Sequence, residues 1–269
     1  MPPCAQLAAA PHWRTVDFLS DLHLQASEPA TVAAWQRYLA QTPADAVFLL
    51  GDVFEVWVGD DALDEPGSFE AQCCAALHAA AQRRALFFLP GNRDFLVGEA
   101  FLRRSGMTVL ADPTVLEFSG QRYLLSHGDA LCVDDVAYQQ FRRMARSPAW
   151  QESFLAQPLA ARRQQARAIR SQSEARKHSG EVYADVDRAA ASAWLRSTQT
   201  PAQTQVHIQA QTLIHGHTHR PGQHPLGDGL TRWVLSDWDA AAPTPRADIL
   251  RLTAAGLQRC TPEGWPPPR

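Results

Sequence analysis

The chain has 269 residues, of which 45% are hydrophobic and 20% charged, and its formal net charge is -3. That balance fits a globular protein of one large or two small domains, and it excludes a disordered chain, a collagen-like repeat and a nucleic-acid polycation. The five cysteines (Cys4, Cys73, Cys74, Cys132, Cys260) form no C-x-x-C pair, which argues against a zinc knuckle and for a reducing, cytoplasmic setting. No leader is read in the first twelve residues. The longest apolar runs, at 47–50 and 86–89, are strand-sized, so no membrane span is expected.

In chain order, the pattern predicts a strand at Trp13–Leu19 and a helix at Thr31–Gln41 with Val32, Trp35 and Leu39 on one face. A buried strand follows at Ala46–Leu50, a long Ala-rich helix at Ser68–Arg84 and a strand at Leu86–Leu89. Then come a helix at Phe95–Arg104 and strands at Arg122–Ser126, Thr212–Ile214, Arg232–Leu235 and Asp248–Leu252. Continuous apolar strands alternating with helices imply an α/β fold of β-α-β units, with a sheet covered on both faces. Residues 135–199 differ, being helical, rich in Gln and Arg, and without a strand pattern. They read as a helical insertion between core segments 1–134 and 200–260, and 261–269 as a Pro-rich tail. Charge is uneven too: Arg142 to Lys177 carries +7, leaving -10 on the remainder. A cation site is therefore sought in the remainder.

Five predicted strands are followed at once by polar clusters. These are Ser20-Asp21-Leu22-His23, Gly51-Asp52, Gly91-Asn92-Arg93-Asp94, Ser126-His127-Gly128-Asp129 and His215-Gly216-His217-Thr218-His219. Any one alone reads as an ordinary turn. Loops beyond the carboxyl ends of strands converge on one crevice, so together they can assemble Asp21, His23, Asp52, Asn92, His127, His215 and His217. Asp21 and His23 are two apart and point to the same side of an extended chain. His215 and His217 do likewise around Gly216, where the missing side chain permits close backbone approach. Carboxylates, imidazoles and an amide oxygen without thiolate suit Mn²⁺, Fe²⁺ or Zn²⁺. Seven ligands suit two ions, with Asp52 as the bridging carboxylate, and such a pair clamps both the attacking and leaving oxygens at phosphorus. His219 reads as a neighbour of the site, while His12, His78, His178, His207 and His224 lie outside the clusters.

In combination, D-L-H, G-D, G-N-R-D, H-G-D and H-G-H-T-H resemble the calcineurin-like metallophosphoesterase family over roughly Val16 to Ser236. The resemblance implies a β-sandwich flanked by helices and two Mn²⁺ ions. One ion would take Asp21, His23, Asp52 and His217, the other Asp52, Asn92, His127 and His215. Where most of the family has G-N-H-[DE], this chain has Arg93. An arginine donates no proton at neutral pH and fits better as a clamp on phosphate oxygens. That favours a good leaving group, such as a phosphate anhydride.

The longer strings G-D-V-F-E-V-W-V-G-D-D, G-N-R-D-F-L-V-G and H-G-D-A-L-C-V-D-D are similar to the UDP-2,3-diacylglucosamine pyrophosphatases of lipid A biosynthesis. The resemblance implies that metal-activated water attacks the α-phosphorus, releasing UMP and 2,3-diacylglucosamine 1-phosphate (lipid X). It makes Asp52, Arg93 and His215 catalytic, and Asn92, Arg93, Asp135, Ser173 and His215 substrate contacts. The family's serine is followed by Asn and Lys; here S-E-A-R-K-H-S-G leaves Arg176 and Lys177 as candidates. Asp61, Asp129 and Asp134 could orient ligands or order loops.

The insertion is expected to act as a lid over the acyl chains. Trp150, Phe154, Leu155, Leu159 and Ile169 among arginines suit peripheral contact with the cytoplasmic face of the inner membrane; the alternative is a helix pair packed on the sheet. No nucleic-acid or protein partner is read. The rival activity is a broad-specificity metal-dependent phosphodiesterase or nucleotide pyrophosphatase, which would not need such an insertion. A metal-free scaffold should have lost some of the seven ligands.

Overall fold

The computed structural model describes residues 4–178, 184–198 and 209–262, with the backbone alone for 171–178. One sheet contains β2 (Val16–Leu19), β3 (Ala46–Leu49), β4 (Ala85–Phe88), β5 (Thr108–Val109), β11 (Ile249–Thr253) and β12 (Gly256–Cys260). Its order is β12-β11-β2-β3-β4-β5, with β2 to β5 parallel. The other contains β1 (Ala5–Ala8), β6 (Thr114–Phe118), β7 (Gln121–Leu125), β8 (Thr212–His215), β9 (Gly222–Gly227) and β10 (Leu230–Val234), in the order β1-β6-β7-β8-β10-β9.

The two-residue period of a strand explains the layering. Val16, Phe18, Ala46, Phe48 and Phe87 of the first sheet bury one face against Leu116, Phe118, Tyr123, Leu125 and Ile214 of the second. Phe48 and Phe87 stack there at 4.5 Å. The alternate residues Leu19, Val47, Leu49 and Phe88 face α1 (Pro29–Gln41), α2 (Phe69–Ala81) and α3 (Glu99–Ser105). The expected sheet covered on both faces is found, with the second sheet as one cover and helices as the other, so the β-sandwich flanked by helices holds. An all-apolar strand is the same whether a sheet or a helix lies over it.

The stretch expected to form the insertion contains α4 (Val136–Ala145), α5 (Pro148–Leu155), α6 (Leu159–His178) and α7 (Arg188–Ser197). Helix α7 packs Ala191 and Leu195 onto Val115, Leu124 and Leu213 of the second sheet, so it covers the core. On α5, Trp150 stacks on Phe154 at 4.8 Å, and both pack inward with Leu159. Arg162 is only 2% exposed, bonding the carbonyls of Val58 and Gln157 and pairing with Asp61. Of the side chains expected to face lipid, Leu155 and Ile169 are exposed, at 41% and 43%. Among the described residues, no helix is long and apolar enough to cross a membrane.

Strand β2 is pinned from beneath by a buried charge. Asp17 accepts from Tyr38 Oη at 3.0 Å and Thr42 Oγ1 at 2.7 Å, and pairs with Arg251 at 2.7 Å. Asp17→Ala strands three donors under β2, and should lower unfolding free energy by about 3 kcal/mol in urea titration.

Candidate metal centre

All five polar clusters meet at the carboxyl ends of β2, β3 and β4 in one sheet and β7 and β8 in the other. Past their strands, the β2 and β3 loops continue in parallel, with Asp21 N donating to Gly51 O at 3.1 Å and His23 N to Asp52 O at 3.1 Å. The two sheets join where His217 N donates to the Asp21 carboxylate at 3.0 and 3.1 Å, while Gly216 N donates to His127 O at 3.0 Å between the loops after β8 and β7 of the same sheet. Ser20 Oγ also donates to Asp21. A Cβ on Gly216 would sit 2.2 Å from Ser20 Oγ and 2.3 Å from Asp21 Oδ2, so only glycine permits this junction.

Backbone strain is concentrated here. Among the described residues, seven non-glycine residues take a left-handed φ, and five of them are Asp21, His23, Asp52, His217 and His219. Each such conformation costs on the order of 1–2 kcal/mol for an L-residue. Strain clustered on chemistry-bearing side chains marks a place where their direction outweighs backbone comfort.

The histidines are held by one ring nitrogen so that the other faces inward. His127 Nδ1 donates to Leu50 O at 2.9 Å, leaving Nε2 3.6 Å from Asp52 and 2.9 Å from Asn92 Oδ1. His215 Nδ1 donates to Gly216 O at 2.8 Å, and its Nε2 is buried without a hydrogen-bond partner. Burial lowers the His215 pKa to about 3, so Nε2 keeps its lone pair at neutral pH. A buried lone pair with no donor is what a cation would satisfy. His23 Nδ1 lies 3.1 Å from Glu55, while His217 Nδ1 lies 2.8 Å from the Asn92 side-chain amide. Burial, then the charge of His127, lowers His217 to about 4.

Among the described residues, two groups have ligand atoms close enough to share a cation: Asp21 with His23 and His219, and Asp21 with Asp52 and His127. Asp21 is common to both, and Asp52, expected as the bridging carboxylate, lies in the second. His219 also joins a group, its Nε2 3.3 Å from both Asp21 and His23. His217 instead turns its ring toward Asn92. The donor set of imidazole, carboxylate and amide oxygen fits a divalent cation of borderline character.

Arg93 stands at the rim, 3.9 Å from both Asp52 and Glu55. Asp135 caps α4, accepting from Tyr138 N at 2.9 Å. The side chains of Ser173, Arg176 and Lys177 lie outside the described residues. Several contributors carry no signal in spacing alone. Glu55 backs His23, and Tyr138 stacks over His217 at 5.9 Å while its hydroxyl donates to Asp129 at 2.6 Å. Arg146 joins Asp129 at 3.3 Å to the carbonyl of Gly91 at 2.9 Å. Asp94 accepts from the backbone of Gly91 at 2.8 Å and Val53 at 2.7 Å, and burial with the Asp52 charge pushes its carboxyl up to about 6.

The family model described as Calcineurin-like phosphoesterase matches residues 14–221. The chain belongs to the calcineurin-like phosphoesterase family. Similar curated proteins include three named "UDP-2,3-diacylglucosamine hydrolase". The one from Chromobacterium violaceum is 47% identical, over 90% of this chain and 97% of its own length. Those from Aromatoleum aromaticum and Xanthomonas axonopodis pv. citri are 45% identical over 86% of this chain and 92% of the relative, and 44% over 90% and 96%. This phosphoesterase is thus a hydrolase by family, and divalent cations match its donor cluster.

Two measurements follow from the geometry of the phosphoesterase. Gly216→Ala forces a methyl into Ser20 and Asp21, and should abolish stoichiometric cation binding by calorimetry while circular dichroism stays native. The second concerns His127, whose burial favours the neutral ring. The carboxylates of Asp52, Asp21 and Asp129 overcome that and raise its pKa to about 9. Below that pH an incoming cation displaces a proton, so its association constant should rise about tenfold per pH unit from pH 7 to about 9. A flat profile over that range would contradict the assignment.

Proposed function

We propose that this phosphoesterase hydrolyses the diphosphate of UDP-2,3-diacylglucosamine to UMP and 2,3-diacylglucosamine 1-phosphate (lipid X), a step of lipid A biosynthesis. The observation that carries this reading is identity of 44% to 47% over 86% to 90% of the chain with proteins named for hydrolysing that substrate. The similarity therefore extends well beyond the metal-site motifs. In this reading the cofactor is two Mn²⁺, one held by Asp21, His23, Asp52 and His217, the other by Asp52, Asn92, His127 and His215. The bound cations supply Lewis-acid polarisation of water and of the phosphoryl oxygens.

The chain's own residues position the diphosphate and keep protons in place. Arg93 presents a fixed positive fork at the rim, suited to phosphate oxygens whose charge grows during displacement at the α-phosphorus. It releases no proton, so the phosphomonoester departs as an anion, consistent with anhydride cleavage. His215, neutral at physiological pH because of its burial, acts as a lone-pair donor. Asn92, Asp135, Ser173, Arg176 and Lys177 are assigned to the lipid sugar and its phosphate. Helices α4 to α6 serve as the lid of the 135–199 insertion over the acyl chains. Val136, Met144, Leu155 and Ile169, between 41% and 60% exposed, support contact with acyl chains or with the inner-membrane surface.

The test is product analysis with purified protein, Mn²⁺ and UDP-2,3-diacylglucosamine, beside UDP-glucose and an aryl phosphate. UMP and lipid X should form from the diacylated substrate alone, with heavy oxygen from water entering UMP. Asp52→Ala should abolish turnover, and Arg93→Ala should lower kcat by about 10²–10³. Equal cleavage of the small substrates would remove the lipid assignment and leave a broad-specificity phosphodiesterase.

A further inference from the structure

Glu55 faces three cationic or imidazole groups from three different parts of the chain. One carboxylate oxygen lies 3.1 Å from His23 Nδ1, an ion-pair contact to a buried nitrogen that has no other hydrogen-bond partner. The other pairs with Arg170 of α6 and lies 3.9 Å from Arg93. Its backbone is fixed independently, because Leu24 N donates to Val53 O at 2.9 Å and Glu55 N to Leu24 O at 3.1 Å. The carboxylate is 13% exposed, and nothing in the hydrolysis derived above uses it.

We propose that Glu55 is a positioning residue for His23, holding the proton on Nδ1 so that Nε2 keeps its lone pair toward the cation site. Through the same carboxylate, Arg170 ties α6 to that histidine. The proposal rests on the reading of His23 as a metal ligand. Carboxylates behind ligating imidazoles fix the tautomer and raise ligand basicity, and their loss typically weakens metal binding about 10- to 100-fold.

The experiment is Mn²⁺ calorimetry on the full chain carrying Glu55→Gln, His23→Ala or both, with the thermal midpoint of each cation-free variant as a folding control. Glu55→Gln should weaken binding about 10- to 100-fold, and by less than about twofold once His23 is gone. In the unsubstituted chain, ¹⁵N-histidine spectra should place the His23 proton on Nδ1, a readout that needs no variant to fold. Near-native affinity in Glu55→Gln overturns the proposal. So does an equal penalty with and without His23, which would make Glu55 only a nearby negative charge. Unchanged affinity in His23→Ala would instead remove the ligand assignment itself, and the proposal with it.

Discussion

The hydrogen bond from His217 N to the Asp21 carboxylate is the joint on which the site depends. It connects the loop after β2, in one sheet, to the loop after β8, in the other. Sheet packing alone fixes the two layers about 10 Å apart, but it does not fix how their ends register. The joint does so, and it works only because Gly216 lets the second loop pass against Ser20 and Asp21. Left-handed strain at five of the side-chain-bearing residues is then the local cost of aiming ligands from both layers at one point. The paired apolar sheets offset that cost elsewhere.

The electrostatics follow from the same convergence. Asp21 and Asp52 are 0% and 2% exposed, and two carboxylates buried side by side demand positive charge. Without a cation, His127 provides it, its pKa drawn upward by the very carboxylates that would coordinate a metal. His215 loses its proton to burial, and His217 to burial and the neighbouring charge of His127. One imidazole thus holds a proton in place of a cation while two keep open lone pairs. The centre is arranged to exchange a proton for a metal ion, not to create a binding site on the metal's arrival.

Much of this was legible in the sequence because the clusters follow strands whose apolar runs are unambiguous. Val47-Phe48-Leu49-Leu50 can only be an interior strand, and Gly51-Asp52 must therefore emerge at its end. The weaker strands gave no such signal. In β9, GQHPLG, both Gly and Pro argue against a strand, and β12, GLQRC, is a short edge. The second sheet was implied by the family resemblance and not by the strands themselves, because its presence changes nothing in the composition of the strands it covers. Within the site, spacing identified residues on the same loop, such as Asp21 with His23. It could not identify Glu55 or Tyr138, whose role comes from the approach of separate segments. The joining of His219 to Asp21 and His23 likewise arises from the turn after Thr218, which no periodicity describes.

The uneven charge of the chain acquires a different meaning once its pairs are seen. The +7 of residues 142–177 reads by itself as a surface for anionic headgroups. Yet Arg142 and Arg146 reach Asp129, Arg162 reaches Asp61, Arg163 reaches Glu65 and Glu70, and Arg170 reaches Glu55. These carboxylates lie in the -10 remainder, on the loops and helix starts around the metal centre. Much of the charge separation is therefore internal, and it docks α4 to α6 on the core through directional pairs beside the inward apolar contacts of Trp150, Phe154 and Leu159. A cover attached by ion pairs lets apolar side chains such as Val136, Met144, Leu155 and Ile169 stay outward without destabilising its seat. One set of helices thus turns arginines and the aromatic pair Trp150–Phe154 toward the core while leaving Val136, Met144, Leu155 and Ile169 outward.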